Sequence, residues 1–385
     1  MTNQTLSRRH FLATSSALTA SAWLNHHSLA QENSTDKSAT TPDPKQYEST
    51  VAKAIDFLRV KGQSADGSFS KQVGIGVTAL VATGLLRHGR SPDDPVVASA
   101  LKFILENVQP TGGIHLPNGR LKTYETCVAV VCLEEANRDH RYDETLKKAD
   151  KFLKEIPFDA AEGHDPSSFY FGGAGYGGQG RPDLSNTAYL IDALKATGND
   201  ADSEAIKNAL IFVNRCQNLE SGFNDTPFAN KINDGGFYYT PLPGRGDDAE
   251  KSGGLRSYGS MGYSGLKSML FAGVKQDDPR VKAVVKWIGK NYDLKTHPGQ
   301  GGAGLFYYYH TFAKALDAFG HDTIEDDQGR THAWRKDLVD ELASRQRDDG
   351  SWVNPNQQFF EGDANLCTSF ALLALSHAGP KKAAK

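Results

Sequence analysis

The segment Arg181-Pro182-Asp183-Leu184-Ser185-Asn186-Thr187-Ala188 sets a carboxylate, a hydroxyl and a carboxamide at the head of an apolar run that continues to Leu194. Pro182 and Asp183 close a glycine-rich loop, and Ser185 or Asn186 can cap the helix that follows. Unpaired N–H groups and the positive dipole end gather at such a helix start, so the place suits a site. Asp183 or Glu125, together with His310, has the types needed for acid–base work. Tyr124, Tyr258, Tyr307, Tyr308 and Tyr309 offer ring faces worth ~0.5–2 kcal/mol each to a bound cation. Every one of these has a structural alternative. Asp183 can simply cap the helix, His310 can be a satisfied core histidine, and a carboxylate beside Cys127 needs partners if it is buried.

Helices at two kinds of surface would have to position these groups. Charged amphipathic stretches recur at Tyr47–Lys61, Asp94–Val108, Tyr142–Ile156, Asp202–Cys216, Asp278–Asn291 and Trp334–Arg345. Their apolar residues fall at helical spacing, as in Val97, Leu101, Ile104 and Leu105. Between them lie six less charged helices, starting near Gly76, Tyr124, Ser185, Ser260, Tyr309 and Leu366, with Ala, Gly, Ser, Thr and Leu on all faces. Helices of that kind are surrounded by protein. An outer ring of amphipathic helices around an inner ring of buried ones satisfies both patterns, which predicts an all-α (α/α)6 barrel in one domain, residues 46–378. With the inner helices in register at their Thr or Gly positions, Val77, Glu125, Asn186, Met261, His310 and Cys367 face a common mouth. The turns before them add Tyr124, Asp183, Ser185, Tyr258, Ser260, Tyr307, Tyr308, Tyr309 and Asp363.

Gly-rich turns join outer to inner helices, and three share a signature. Gln346-Arg347-Asp348-Asp349-Gly350-Ser351-Trp352 is the fullest, Gln63 to Phe69 is similar, and Gln217 to Gly222-Phe223 is looser. The first resembles the QW motif of the squalene-hopene cyclase and prenyltransferase superfamily, and Arg181 to Ala188 resembles that family's Pro-Asp-x-Asp-Asp-Thr-Ala segment. The strings Ser257–Met269 and Tyr307–Leu316 look like an exported bacterial branch of the kind common in planctomycetes. The resemblance implies a central cavity open at the N-termini of the inner helices, holding an isoprenoid or other lipid. It also implies that the family's proton-donating Asp falls on Ser185, with Asp183 before it and Asn186 after. A hydroxyl cannot protonate a C=C bond, so squalene-type cyclisation is not expected here. The prenyltransferase zinc site is not matched either, because no Asp-x-Cys occurs and Asp363 and Cys367 lie four apart. No metal or cofactor is expected.

The remaining observations set bounds. The net charge of −3 and the lack of a long basic run argue against nucleic acid. Ser7-Arg8-Arg9-His10-Phe11-Leu12, an apolar stretch and Ser28-Leu29-Ala30 make residues 1–30 a twin-arginine signal peptide, implying a periplasmic or other extracytoplasmic destination. Residues 31–45 form a polar disordered linker and 379–385 a basic tail. No stretch is apolar enough to span a bilayer. Four cysteines without CxxC spacing are expected as buried small hydrophobes, although an exported chain can also pair them. A non-catalytic scaffold using the barrel rim, or a glycan-active α/α barrel with paired carboxylates, remains an alternative reading of the same pattern.

Overall fold

The structure, a computed structural model, describes residues 40–158, 163–177, 180–241 and 253–380. The twin-arginine segment, most of the linker and residues 381–385 of the tail lie outside these. Twelve α-helices follow in the order α1 (Pro44–Phe57), α2 (Gly76–Arg87), α3 (Pro95–Leu105), α4 (Lys122–Ala136), α5 (Asp143–Lys154), α6 (Leu184–Ala196), α7 (Glu204–Arg215), α8 (Gly259–Phe271), α9 (Pro279–Lys290), α10 (Leu305–Phe319), α11 (Trp334–Arg345) and α12 (Ala364–Ala378). A two-residue hairpin, Ile324–Glu325 with Thr331–His332, interrupts between α10 and α11.

The odd-numbered helices carry the amphipathic pattern. In α5, Leu146, Ala149 and Leu153 are buried, while acids occupy the first turn and lysines the last, the arrangement a helix dipole favours. Asp43, Asp94 and Asp278 cap α1, α3 and α9, each ahead of a proline in the first turn. The even-numbered helices are buried nearly all round; in α2 only Arg87 escapes. They pack in sequence, α2 on α4, α4 on α6 and onward to α10 on α12, and α12 returns to α2. That last contact closes the ring. Each inner helix also packs on an outer one, α2 on α3 and so on round to α12 on α1. Among the described residues no helix is long and apolar enough to cross a membrane.

The signature glutamines tie neighbouring repeats together. Gln346 Nε2 donates to Gly350 O and to Thr50 O in α1, and Gln63 Nε2 donates to Gly67 O and to Val96 O in α3. Gly350 must be glycine: at φ 87° its missing Cβ would run into the Lys53 carbonyl. Trp352 and Phe69 are buried, and the inner-helix threonines Thr368 and Thr78 accept their backbone N–H groups. The third signature needs correction. Gln217 bonds to Gly235 O and Arg280 O, and Phe237 is the buried aromatic. Gly222-Phe223 belongs to an inserted loop, with Phe223 exposed over the Arg280 guanidinium. The four cysteines are free and buried.

Candidate functional site

The first turns of all six inner helices surround a cavity of ≈ 290 Å3. Val77, Tyr124, Ser185, Asn186, Ser260, Met261, Tyr307 and Leu366 line it from α2, α4, α6, α8, α10 and α12. Except for Leu366, which stands where the register pointed to Cys367, these positions were legible from the threonine and glycine register, as was Tyr258. Tyr189 follows Ser185 by four residues and so shares its helix face. Tyr176, Tyr239, His297, Phe359 and Phe360 come from loops and carry no sequence signal of their own. Six tyrosines result; Tyr124 packs edge-on against Tyr189 at 5.2 Å and Tyr189 lies 6.3 Å from Tyr307. Phe359 and Phe360 stand exposed at the rim with φ of 58° and 63°.

Tyr308 and Tyr309 do not line this cavity. Successive residues of a helix point about 100° apart, so three tyrosines in a row cannot share one face. Their hydroxyls donate instead to Asp293 O and Leu294 O in the connection from α9. Asp363 caps α12 through the Leu366 N–H, and the Cys367 thiol faces Glu361 O at 3.0 Å. Neither belongs to the cavity wall.

The three candidate catalytic residues have separated. Asp183 is buried at the α6 N-cap, with Oδ1 accepting from Asn186 N at 2.8 Å and Oδ2 from Asn186 Nδ2 at 2.7 Å. Burial pushes its carboxyl up to about 6, against those bonds and one from the Tyr239 hydroxyl. Glu125 reaches across to the start of α2: Oε1 accepts from Ile75 N and Oε2 from Leu116 N, each at 3.0 Å. Burial raises it while the two amides oppose the shift. His310 sits a turn deeper than expected because α10 begins at Leu305, not near Tyr309. The residue in register with Asn186 is therefore Tyr307.

A common principle governs the mouth. Glu361, which the sequence did not single out, accepts from Tyr307 N at 2.8 Å and from Asn354 Nδ2 at 2.6 Å. His297 Nε2 accepts from Ser260 N at 2.9 Å while Nδ1–H donates to Ala303 O at 2.7 Å. Burial lowers His297 to about 4, so the ring stays neutral. Thus α2, α6, α8, α10 and α12 each have N-terminal amides met by a side-chain acceptor, and an incoming anion finds those donors taken. Among the described residues lining the cavity there is no carboxylate. Ser185 Oγ instead pairs with the Tyr307 hydroxyl at 2.8 Å.

Below that pair lies a second, smaller pocket of ≈ 20 Å3, sharing Ser185, Tyr189 and Tyr307 with the first. Asp192, Lys267, Lys314 and His310 line it. Lys267 Nζ meets Asp192 Oδ1 at 2.6 Å and Lys314 Nζ meets Oδ2 at 2.7 Å. Burial disfavours the Asp192 charge, but the two ammonium groups outweigh it and hold the carboxyl at about 2.

Against known proteins, the family model for the squalene-hopene cyclase C-terminal domain matches residues 71–240, the stretch holding α2, α4, α6 and the Arg181–Ala188 segment. That stretch of the chain is similar to the squalene-hopene cyclase C-terminal domain, and the fold is that of a terpene cyclase-like toroid. The ligand-free type II terpene cyclase MstE from Scytonema shares its fold at 14% identity and a TM-score of 0.51, over 86% of this chain and 98% of that one. A ligand-free single-substitution variant of the same cyclase aligns at 14% identity and a TM-score of 0.52, over 87% and 96%. No curated protein matches the sequence.

Proposed function

We propose that this barrel binds an isoprenoid or other elongated lipid in its tyrosine-lined cavity without performing the cyclases' protonation. The observation that carries the reading is the lining itself: six tyrosines and several aliphatic residues, with Ser185 tied to Tyr307 where an acid would have to stand. Ligand pockets are of this kind, apolar and aromatic with few placed polar groups. Asp183 is an unsuitable substitute, since both oxygens are engaged behind Asn186 and Tyr239. The terpene cyclase-like fold supports an isoprenoid as the occupant. A glycan-active barrel would need paired carboxylates facing the cavity about 5–10 Å apart, and the lining described above supplies none.

Arg8-Arg9 and the Ser28-Leu29-Ala30 site support twin-arginine export of the folded protein to the periplasm. The direct test is native mass spectrometry with lipid extraction on protein recovered from the periplasm. A bound isoprenoid or lipid in stoichiometric amount is expected. Protein that arrives empty, and takes up neither farnesol nor geranylgeraniol when these are added, would end the reading. Replacing Arg8 and Arg9 by lysine should strand the precursor in the cytoplasm; continued export would remove the twin-arginine assignment.

A further inference from the structure

The small pocket beneath the Ser185–Tyr307 pair is built differently from everything above it. Asp192, Lys267 and Lys314 follow the starts of α6, α8 and α10 by eight or nine residues, roughly 12 Å deeper into the barrel at 1.5 Å per residue. All three are buried or nearly so, with side-chain exposures of 7%, 5% and 14%. Two ammonium groups share one carboxylate, so the cluster carries one positive charge in excess. Charges farther along the inner helices do not offset it, because Arg87 pairs with Glu135, and Asp317 with Arg335 and His377.

Donors are also left over. Lys267 Nζ spends two of its three N–H groups on Asp192 and on Ala188 O, and Lys314 Nζ spends one on Asp192. The Tyr189 hydroxyl and His310 Nδ1 have no hydrogen-bond partner among the described residues. His310 is only 5% exposed and stacks on Phe370, which also lines the cavity above. Buried polar groups left in this state are unusual and costly, and buried excess charge more so. The natural complement is a small group with negative charge and acceptor oxygens.

We propose that this pocket is a head-group subsite that takes the carboxylate of an amphiphile whose hydrocarbon body fills the aromatic cavity above. The inference rests on the lipid-binding reading and adds the class of lipid: an isoprenoid or fatty acid, not an alcohol or hydrocarbon. The acid group enters first, passing between Tyr189 and the Ser185–Tyr307 bond, and meets Lys267, Lys314 and the His310 ring. Its charge turns the two-to-one cluster into a balanced one. At ≈ 20 Å3 the pocket has no room for a bulky head such as a sugar.

The experiment compares farnesoic acid, farnesol and sodium acetate on the full chain by native mass spectrometry and by isothermal titration calorimetry. Farnesoic acid is expected to bind about tenfold or more tighter than farnesol, the usual scale for a buried charge-assisted hydrogen bond. Lys314→Met, which leaves Lys267 and Asp192 as a neutral pair, is expected to erase the preference while retaining farnesol binding. Equal affinity of acid and alcohol for the wild-type chain overturns the head-group subsite and leaves the lipid reading standing. Failure of both to bind overturns the lipid reading itself. Acetate binding as tightly as farnesoic acid overturns the amphiphile, because it assigns the pocket to free small anions. The comparison on the wild-type chain requires no variant to fold.

Discussion

The mouth and the floor of the barrel hold ionisable groups in comparable burial, yet they are organised on opposite principles. At the mouth, Glu125, Asp183, Glu361 and His297 are each bonded to backbone amides at the starts of inner helices. Their partners are fixed dipoles, fully supplied by the fold. At the floor, among the described residues, Asp192 is bonded to Lys267 and Lys314 alone, and the Tyr189 hydroxyl and His310 Nδ1 beside them have no hydrogen-bond partner. The candidate acids Glu125 and Asp183 thus spend their oxygens on local donors, whereas Asp192, inside an apolar helical run, meets two ammonium groups. An acidic side chain near a cavity says little until its acceptors are counted.

The sharpest way to break this contrast is at the floor. Asp192→Ala leaves two buried ammonium groups without a counter-ion and is expected to lower stability by about 3–5 kcal/mol in chemical denaturation. Replacing Asp192, Lys267 and Lys314 together by leucine should restore most of that loss, since an apolar substitute for a buried ion cluster is often neutral or better. A loss under about 1 kcal/mol in Asp192→Ala would mean that water reaches the lysines and the floor is not sealed.

At the mouth the effects are smaller and of another kind. Glu361→Ala or Glu125→Ala orphans two donors each and should cost about 2–3 kcal/mol, while the folded fraction binds farnesol with unchanged affinity. A variant with full stability and lost binding would return that acid to the site.

The pH dependence separates two mouth residues by sign. His297 titrates at about 4 in the fold against an ordinary 6.5. Between those values the unfolded chain binds more protons, so stability falls on acidification through that window, by at most ~3.4 kcal/mol at 1.36 kcal/mol per pH unit. Asp183, raised from 3.8 to about 6, does the reverse, since the folded form holds its proton more tightly and stability declines as pH rises from about 4 to about 6. His297→Gln should flatten the acid side of a melting-temperature profile and Asp183→Asn should steepen it. Identical profiles for the two variants would show that neither group is buried as described.

The smallest expected effect lies at the boundary between the regions. Ser185→Ala removes one hydrogen bond to Tyr307 and should cost about 1 kcal/mol. It should also speed entry of farnesoic acid relative to farnesol, measured by stopped-flow tyrosine fluorescence. Slower entry, or equal acceleration of both, would show that this pair does not separate mouth from floor.

Much of the architecture is written in local patterns. The alternation of amphipathic and all-apolar helices, the Asp-Pro starts and the Gln-x-x-x-Gly turns follow from periods and cap chemistry that act within a few residues. The cavity positions Tyr124, Ser185, Asn186, Tyr258 and Tyr307 come with them, because helix starts set in a common register point at a common axis. The loops supplying Tyr239, His297 and Phe359 obey no period, which is why that part of the wall was hidden.

By itself, then, the chain's order of residues determined a ring of helical hairpins with a tyrosine-rich mouth. Only the tertiary structure decided what the charges do. Glu125 finds its amide 50 residues away and Glu361 finds its own 54 away, and the second of these contacts meets α10 at a start earlier than the Thr311 register suggested, which leaves His310 a turn deeper beside Lys314. A hydrogen bond is satisfied by whatever lies within about 3 Å, and that neighbour is chosen by the closure of the ring, not by spacing along the sequence.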